Sequence, residues 1–141
     1  MFDNFDVNSA GVFYSFDQEY VRSSEEKMGI LFPKELRNFY MQVGYGFFNS
    51  KISNVNRLMD PTSVVDFRQR AGEFVGIDDL EMYEPTENDK LIFFEVNEYT
   101  FVSIAFTGND MGKVFFMSTK IADSLEEFLE RFVADEQFFI K

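Results

Sequence analysis

Twenty of the 141 residues are Phe and six are Tyr, while Trp is absent. Each such ring buries roughly 150–250 Å² when it packs, so the fold must bring Phe from many segments into one interior, and Phe must dominate that core. Hydrophobic residues make up 45% of the chain and charged residues 27%, a balance that supports a real core and argues against disorder or a fibrous repeat. The length fits one domain, since domains average roughly 100–200 residues. Phe47-Phe48, Phe115-Phe116 and Phe138-Phe139 are adjacent pairs. In a strand one ring of each pair faces outward unless both sheet faces are covered. Helices on both sides, or a partner protein, would cover them.

Capping and spacing place the helices. Asp17 caps a helix running to about Met28, with Tyr20, Val21, Ser24 and Met28 at helical spacing and Gly29 as its end. Pro33 at the first helical position and Gly44 just past the last bracket a second helix, whose Leu36, Phe39, Tyr40 and Val43 form one apolar stripe. Asp60-Pro61 opens a third, carrying Val64, Phe67 and Ala71, with Gly72 as the expected stop. Ser124-Leu125-Glu126-Glu127 is a capping box ahead of a last helix with Leu125, Phe128, Leu129, Phe132 and Val133 inward. Runs rich in Phe, Val and Ile at 74–77, 91–96, 100–106 and 113–117 read as strands. Asn97-Glu98-Tyr99 and the polar segment 107–112 between the last three suit hairpins, the latter as an exposed loop. The structure of residues 1–16 is left open, and 17–141 is expected to form the domain. Helices first, then sheet, then a closing helix make this an α+β fold with a central antiparallel sheet flanked by helices.

Chemistry is constrained by what the chain lacks. It has no Cys and no His, which removes disulfides, thiol nucleophiles, imidazole bases and the usual zinc ligand sets. Gly44-Tyr45-Gly46 follows a helix instead of opening one, so it reads as a helix stop and tight turn, not a phosphate cradle. No carboxylate pair is marked as sharing a pocket, and no EF-hand spacing is present, so neither a catalytic residue nor a metal or cofactor is assigned. The N-terminus has no basic stretch followed by an apolar run, and no window reaches the roughly 18 apolar residues of a membrane span. Cytoplasmic residence is expected.

The net charge is −12, and it is unevenly spread. Residues 1–20 carry −4, residues 21–70 carry +3 and residues 71–141 carry −11. Within 73–98, nine carboxylates stand against Lys90 alone. Such a balance opposes nucleic acid or an anionic membrane as ligand and favours a basic partner. It also argues for a Phe core over base-stacking platforms, which need a basic groove. The acidic stretch reads as a solvated loop that keeps the protein soluble or as a landing site that steers a basic partner, with a divalent-cation site on Asp78, Asp79, Glu81 and Asp89, lacking EF-hand spacing, as the third and weaker alternative.

The run Leu31-Phe32-Pro33-Lys34-Glu35-Leu36-Arg37-Asn38-Phe39-Tyr40, followed by Gly44-Tyr45-Gly46, resembles the signature of the SUKH superfamily, which includes the fungal Smi/Knr cell-wall regulators. The strands at 91–96 and 100–106, Gly112-Lys113-Val114-Phe115-Phe116, and Ile121 to Leu129 are similar to its second half and closing helix. The resemblance covers roughly residues 17–134. It differs where Gly-Tyr-Gly replaces the usual Asn-Gly-Gly. The resemblance implies a non-enzymatic bacterial immunity protein, an antitoxin that binds and neutralises a cognate secreted toxin, commonly a nuclease, by direct contact. It brings no catalytic residues and no cofactor. On charge grounds Asp78, Asp79, Glu81, Glu84, Glu87 and Asp89 are the expected partner-binding residues, facing the basic surface a nuclease needs. The alternative is a regulatory or scaffold module of the Smi/Knr type with no toxin partner. The oligomeric state stays open.

Overall fold

Seven antiparallel strands follow one another across the sheet in chain order, in a computed structural model that describes residues 2–3, 5–98 and 100–140. The strands are β1 (Gly11–Tyr14), β2 (Tyr45–Phe48), β3 (Arg57–Leu58), β4 (Lys90–Asn97), β5 (Thr100–Ala105), β6 (Val114–Phe116) and β7 (Thr119–Ala122). The helices are α1 (Val7–Ala10), α2 (Gln18–Met28), α3 (Lys34–Gln42), α4 (Pro61–Gln69) and α5 (Leu125–Ala134). The α+β architecture with a central antiparallel sheet is therefore the observed one. Residues 7–14, in the segment whose structure the sequence leaves open, form a single helical turn and the first strand.

The caps act as their chemistry predicts. Asp17 accepts from the Glu19 amide, and Gly29 closes α2 in the left-handed region at φ 72°. Pro33 sits at the N-cap of α3 and not one position later. Ser124 Oγ accepts from the Glu127 amide at 3.0 Å, while the Glu127 carboxylate reaches the Asp123 amide at 2.9 Å, one residue outside the capping box. Glu35, from α3, takes a further free amide of α5, that of Glu126, at 3.1 Å.

Several expectations are corrected. The third helix ends before Gly72, because Arg70 itself adopts the left-handed conformation at φ 52° and its amide returns to Asp66 and Phe67. The run 74–77 is no strand: Phe74 closes a 3-10 turn begun at Gly72, and Val75 and Ile77 stay exposed. Val133, assigned to the buried stripe of α5, is 52% exposed, so the stripe is Leu125, Phe128, Leu129 and Phe132. The β4–β5 and β5–β6 pairings match the expected hairpins, with Tyr99 of the first connection outside the described residues.

Gly44, at φ 114°, stops α3, but Tyr45 and Gly46 belong to β2 and not to a turn. Gly46 is required there: a Cβ would stand 2.2 Å from the Val12 carbonyl oxygen of β1.

The core has two aromatic layers, one on each face of the sheet. On one face, Phe48 and Phe94 pack with Phe128 and Phe132 of α5, with ring centroids 5.0–5.7 Å apart. On the other, Phe67 of α4 meets Phe101 at 4.9 Å and Phe74 at 5.0 Å, and Tyr83 completes the group. Most contacts are edge-to-face, the arrangement the ring quadrupole favours. This is why a chain with adjacent Phe pairs can bury so many of them.

Candidate functional site

The acidic stretch is tied to the fold by inward side chains and hydrogen bonds. Between Asp78 and Tyr83 the backbone forms a 3-10 helix, followed by a shorter one at Thr86–Asn88. With three residues per turn, Leu80 and Tyr83 eclipse one another and point inward; both are 2% exposed. The Tyr83 hydroxyl accepts from the Phe101 amide at 2.9 Å, pinning the segment to β5. Asp78, Asp79, Glu81, Met82 and Glu84 are left facing solvent.

Two arginines at the end of α4 hold the segment down. Arg70 donates to the carbonyls of Phe67 and Leu80 and to Glu87 Oε1 at 2.6 Å, with its guanidinium 4.8 Å over the Phe67 ring. Arg68 donates to the Glu87 carbonyl at 2.9 Å. Neither arginine was assigned a role from sequence.

The six nominated carboxylates therefore occupy different environments. Asp78, Asp79, Glu81 and Glu84 are exposed, and no cationic side chain pairs with them among the described residues. Glu87 is turned inward onto Arg70, its side chain only 11% exposed. Asp89 pairs with Lys90 at 2.8 Å, and its carbonyl accepts from the Phe106 amide. Among the described residues, no group of three or more carboxylates is arranged to hold a metal ion.

Beside this segment, Glu73 accepts from Arg57 of β3 at 3.0 Å. Arg57 Nε also lies 3.1 Å from Glu95 Oε1, an ion pair whose angle misses hydrogen-bond geometry. Three exposed apolar side chains lie among the acids: Val75, Ile77 and Met82. Only the odd placement of apolar residues within an acidic run could have signalled them.

Burial raises the pKa of Glu87 despite Arg70, of Glu95 despite Arg57, and of Glu35 beside Glu126. In each case the folded protein takes up a proton more readily than the unfolded chain. Stability from these groups therefore rises as pH falls from neutral toward the ordinary carboxylate range near about 4. Partial neutralisation of the net charge of −12 acts in the same direction. Glu136 opposes it: donors from Ser50, Lys51 and Asn56 hold its pKa down, so its contribution is lost only on further acidification. Melting should accordingly occur on the order of a few degrees higher at pH 5 than at pH 8 by calorimetry. A fall over that interval would contradict the assignment.

Comparison with known proteins places these features in a family. The chain is 39% identical over 133 residues to "Immunity protein YxxD" of Bacillus subtilis (strain 168), covering 94% of this chain and 90% of the relative. No solved structure matches. Residues 18–129, spanning α2 to the middle of α5, match the family SUKH_6, described as SMI1-KNR4 cell-wall. The helix–strand succession built on Phe32-Pro33 and closed by α5 is thus that of a family member, and the chain belongs to the SUKH_6 family.

Proposed function

We propose that this chain is an immunity protein that binds a cognate secreted toxin directly in the cytoplasm and neutralises it without catalysis. The reading rests on its 39% identity, along 94% of its length, to a protein named for immunity. We further read the toxin as a nuclease domain, because an enzyme that holds nucleic acid presents a basic surface, and this chain offers the complement. The observation that supports a contact role for 78–89 is structural: four carboxylates with no cationic partner among the described residues are displayed on a segment pinned by Leu80, Tyr83 and Arg70. A rigid display loses less conformational entropy on binding than a flexible acidic loop. In this reading Asp78, Asp79, Glu81 and Glu84 steer the toxin, Asp89 lies at the edge of the contact, and Glu87 acts by holding the segment in place.

The test uses the C-terminal domain of any secreted protein encoded beside this chain. Tight binding, and survival of cells that express both, is the expected result. The triple variant Asp78→Lys, Asp79→Lys, Glu81→Lys should associate at least about tenfold more slowly at low salt, and the gap should close near 0.5 M salt, where the Debye length is only a few ångströms. Unchanged association kinetics would move the contact away from this segment. Failure of the unaltered chain to bind or protect would reject toxin neutralisation and favour a regulatory module of the Smi/Knr type.

A further inference from the structure

The two faces of the sheet are not equally covered. Residues directly opposite one another on neighbouring strands share a face. Val12 lies opposite Phe47 and Tyr14 opposite Tyr45, while Phe47 in turn lies opposite Arg57, and Arg57 opposite Glu95. At the β4–β5 end of this face, Phe101 is capped by Phe67, Phe74 and Tyr83. At the β1–β2 end, Val12 is 57% exposed, Tyr14 48% and Phe47 40%. The Tyr14 and Tyr45 rings lie 5.5 Å apart beside them.

A solvent-facing antiparallel strand normally turns polar side chains outward. All four outward positions here are apolar or aromatic. The opposite edge of the sheet follows the usual rule, since β7 exposes Thr119 and Lys120, and Lys120 bonds Asp123. The apolar patch is therefore specific to the β1–β2 end.

This patch adjoins the acidic segment. Arg57, cross-strand partner of Phe47, grips Glu73, and from Glu73 the chain continues through exposed Val75 and Ile77 into Asp78 and Asp79. Arg57 is occupied by Glu73 and Glu95 and only 14% exposed, so it adds little positive potential to the patch.

We propose that Val12, Tyr14, Tyr45 and Phe47 form the apolar centre of the toxin-binding surface and that the 73–84 carboxylates form its rim. The inference rests on the toxin-neutralising reading and names where the affinity resides. Its occupant is a partner surface with an apolar projection ringed by Lys and Arg. Charge complementarity selects that occupant over a second copy of this chain, because self-association would bring one acidic rim against another in a protein of net charge −12. Aromatic residues at the desolvated centre carry most binding energy, and the charged rim governs the rate of encounter.

The experiment measures association and dissociation of the adjacent-gene toxin domain with the unaltered chain and with Phe47→Ser, Tyr14→Ser and Val133→Ser, each checked for native circular dichroism and melting. Val133 is equally exposed but lies on α5, away from the patch. Phe47→Ser should weaken binding about thirtyfold, mainly through faster dissociation, and Tyr14→Ser should weaken it in the same manner. Val133→Ser should change it less than about twofold. If the unaltered chain binds while both patch variants bind equally well, this interface is overturned and the toxin reading stands. If the unaltered chain does not bind, both fall. A dimer in sedimentation that Phe47→Ser dissolves would overturn the choice of occupant.

Discussion

Replacing Phe94 with alanine is expected to destabilise the protein by about 3–5 kcal/mol, measured by urea denaturation. Phe94 is fully buried, and its ring meets those of Phe48, Phe93, Phe128 and Phe132. Its removal takes contact away from β2, β4 and α5 at once and leaves a cavity walled by rings that are themselves packed edge-to-face. Against a total stability of roughly 5–15 kcal/mol, that loss is a large fraction. Phe94→Leu, which retains more of the volume, should cost clearly less. Equal costs for the two substitutions would show that the α5 layer closes over the gap and is not held by this ring.

Arg70→Ala should have the second largest effect, about 2–3 kcal/mol. The truncation strands the Glu87 carboxylate and removes the donor to the Leu80 carbonyl. The loss stays below the roughly 3–5 kcal/mol of a fully buried pair because the Arg70 side chain is 26% exposed and water screens part of the interaction. Much of the cost comes from the orphaned charge, which gives a specific check. Adding Glu87→Gln to Arg70→Ala should recover part of the lost stability, whereas independent sites would add. The single variant should also loosen the 78–89 segment, seen as faster amide exchange at Leu80 and Tyr83 relative to β4. Full additivity and unchanged exchange would remove Arg70 from its position as the anchor of the acidic surface.

The sequence carried the helices better than the strands. Asp17, Asp60 and Ser124 are local signals, each satisfied by its own following amides, and no distant contact was needed to read them. The strands β4, β5 and β6 were also legible, since their runs of Phe, Val and Ile are buried on both faces. β2 was hidden because Gly46, a poor strand residue in isolation, is demanded by the approach of the Val12 carbonyl from a segment about 34 residues earlier. β3 is two residues long, and its pairing to β2 and β4 gives it whatever identity it has. Phe74-Val75-Gly76-Ile77 carries strand composition, yet the docking of Phe74 against Phe67 overrides it.

The acidic stretch was visible as charge alone. Its division into displayed carboxylates and one inward-facing anchor depends on Arg70, whose left-handed backbone and three hydrogen bonds have no signature in a single sequence. The apolar β1–β2 face was hidden for the same reason as β2. Phe47 and Phe48 were recognisable as a pair with one outward ring, but which ring, and beside which carboxylates, is fixed by register.

Because strand order in the sheet equals chain order, the ribosome delivers the rows in the sequence in which they pair. A nascent chain can lay each strand against the one before it, without threading and without waiting for a distant partner. The lid arrives late, however. Helix α5, which covers Phe48 and Phe94, follows all seven strands. Until it emerges, Phe39 of α3 covers the Phe13 end of this layer, but Phe48 and Phe94 lack the rings of Phe128 and Phe132, and apolar surface left open in that way is what chaperones bind. Synthesis arrested before Leu125 would therefore yield a fully paired but adhesive sheet, a species for proteases to clear before it aggregates.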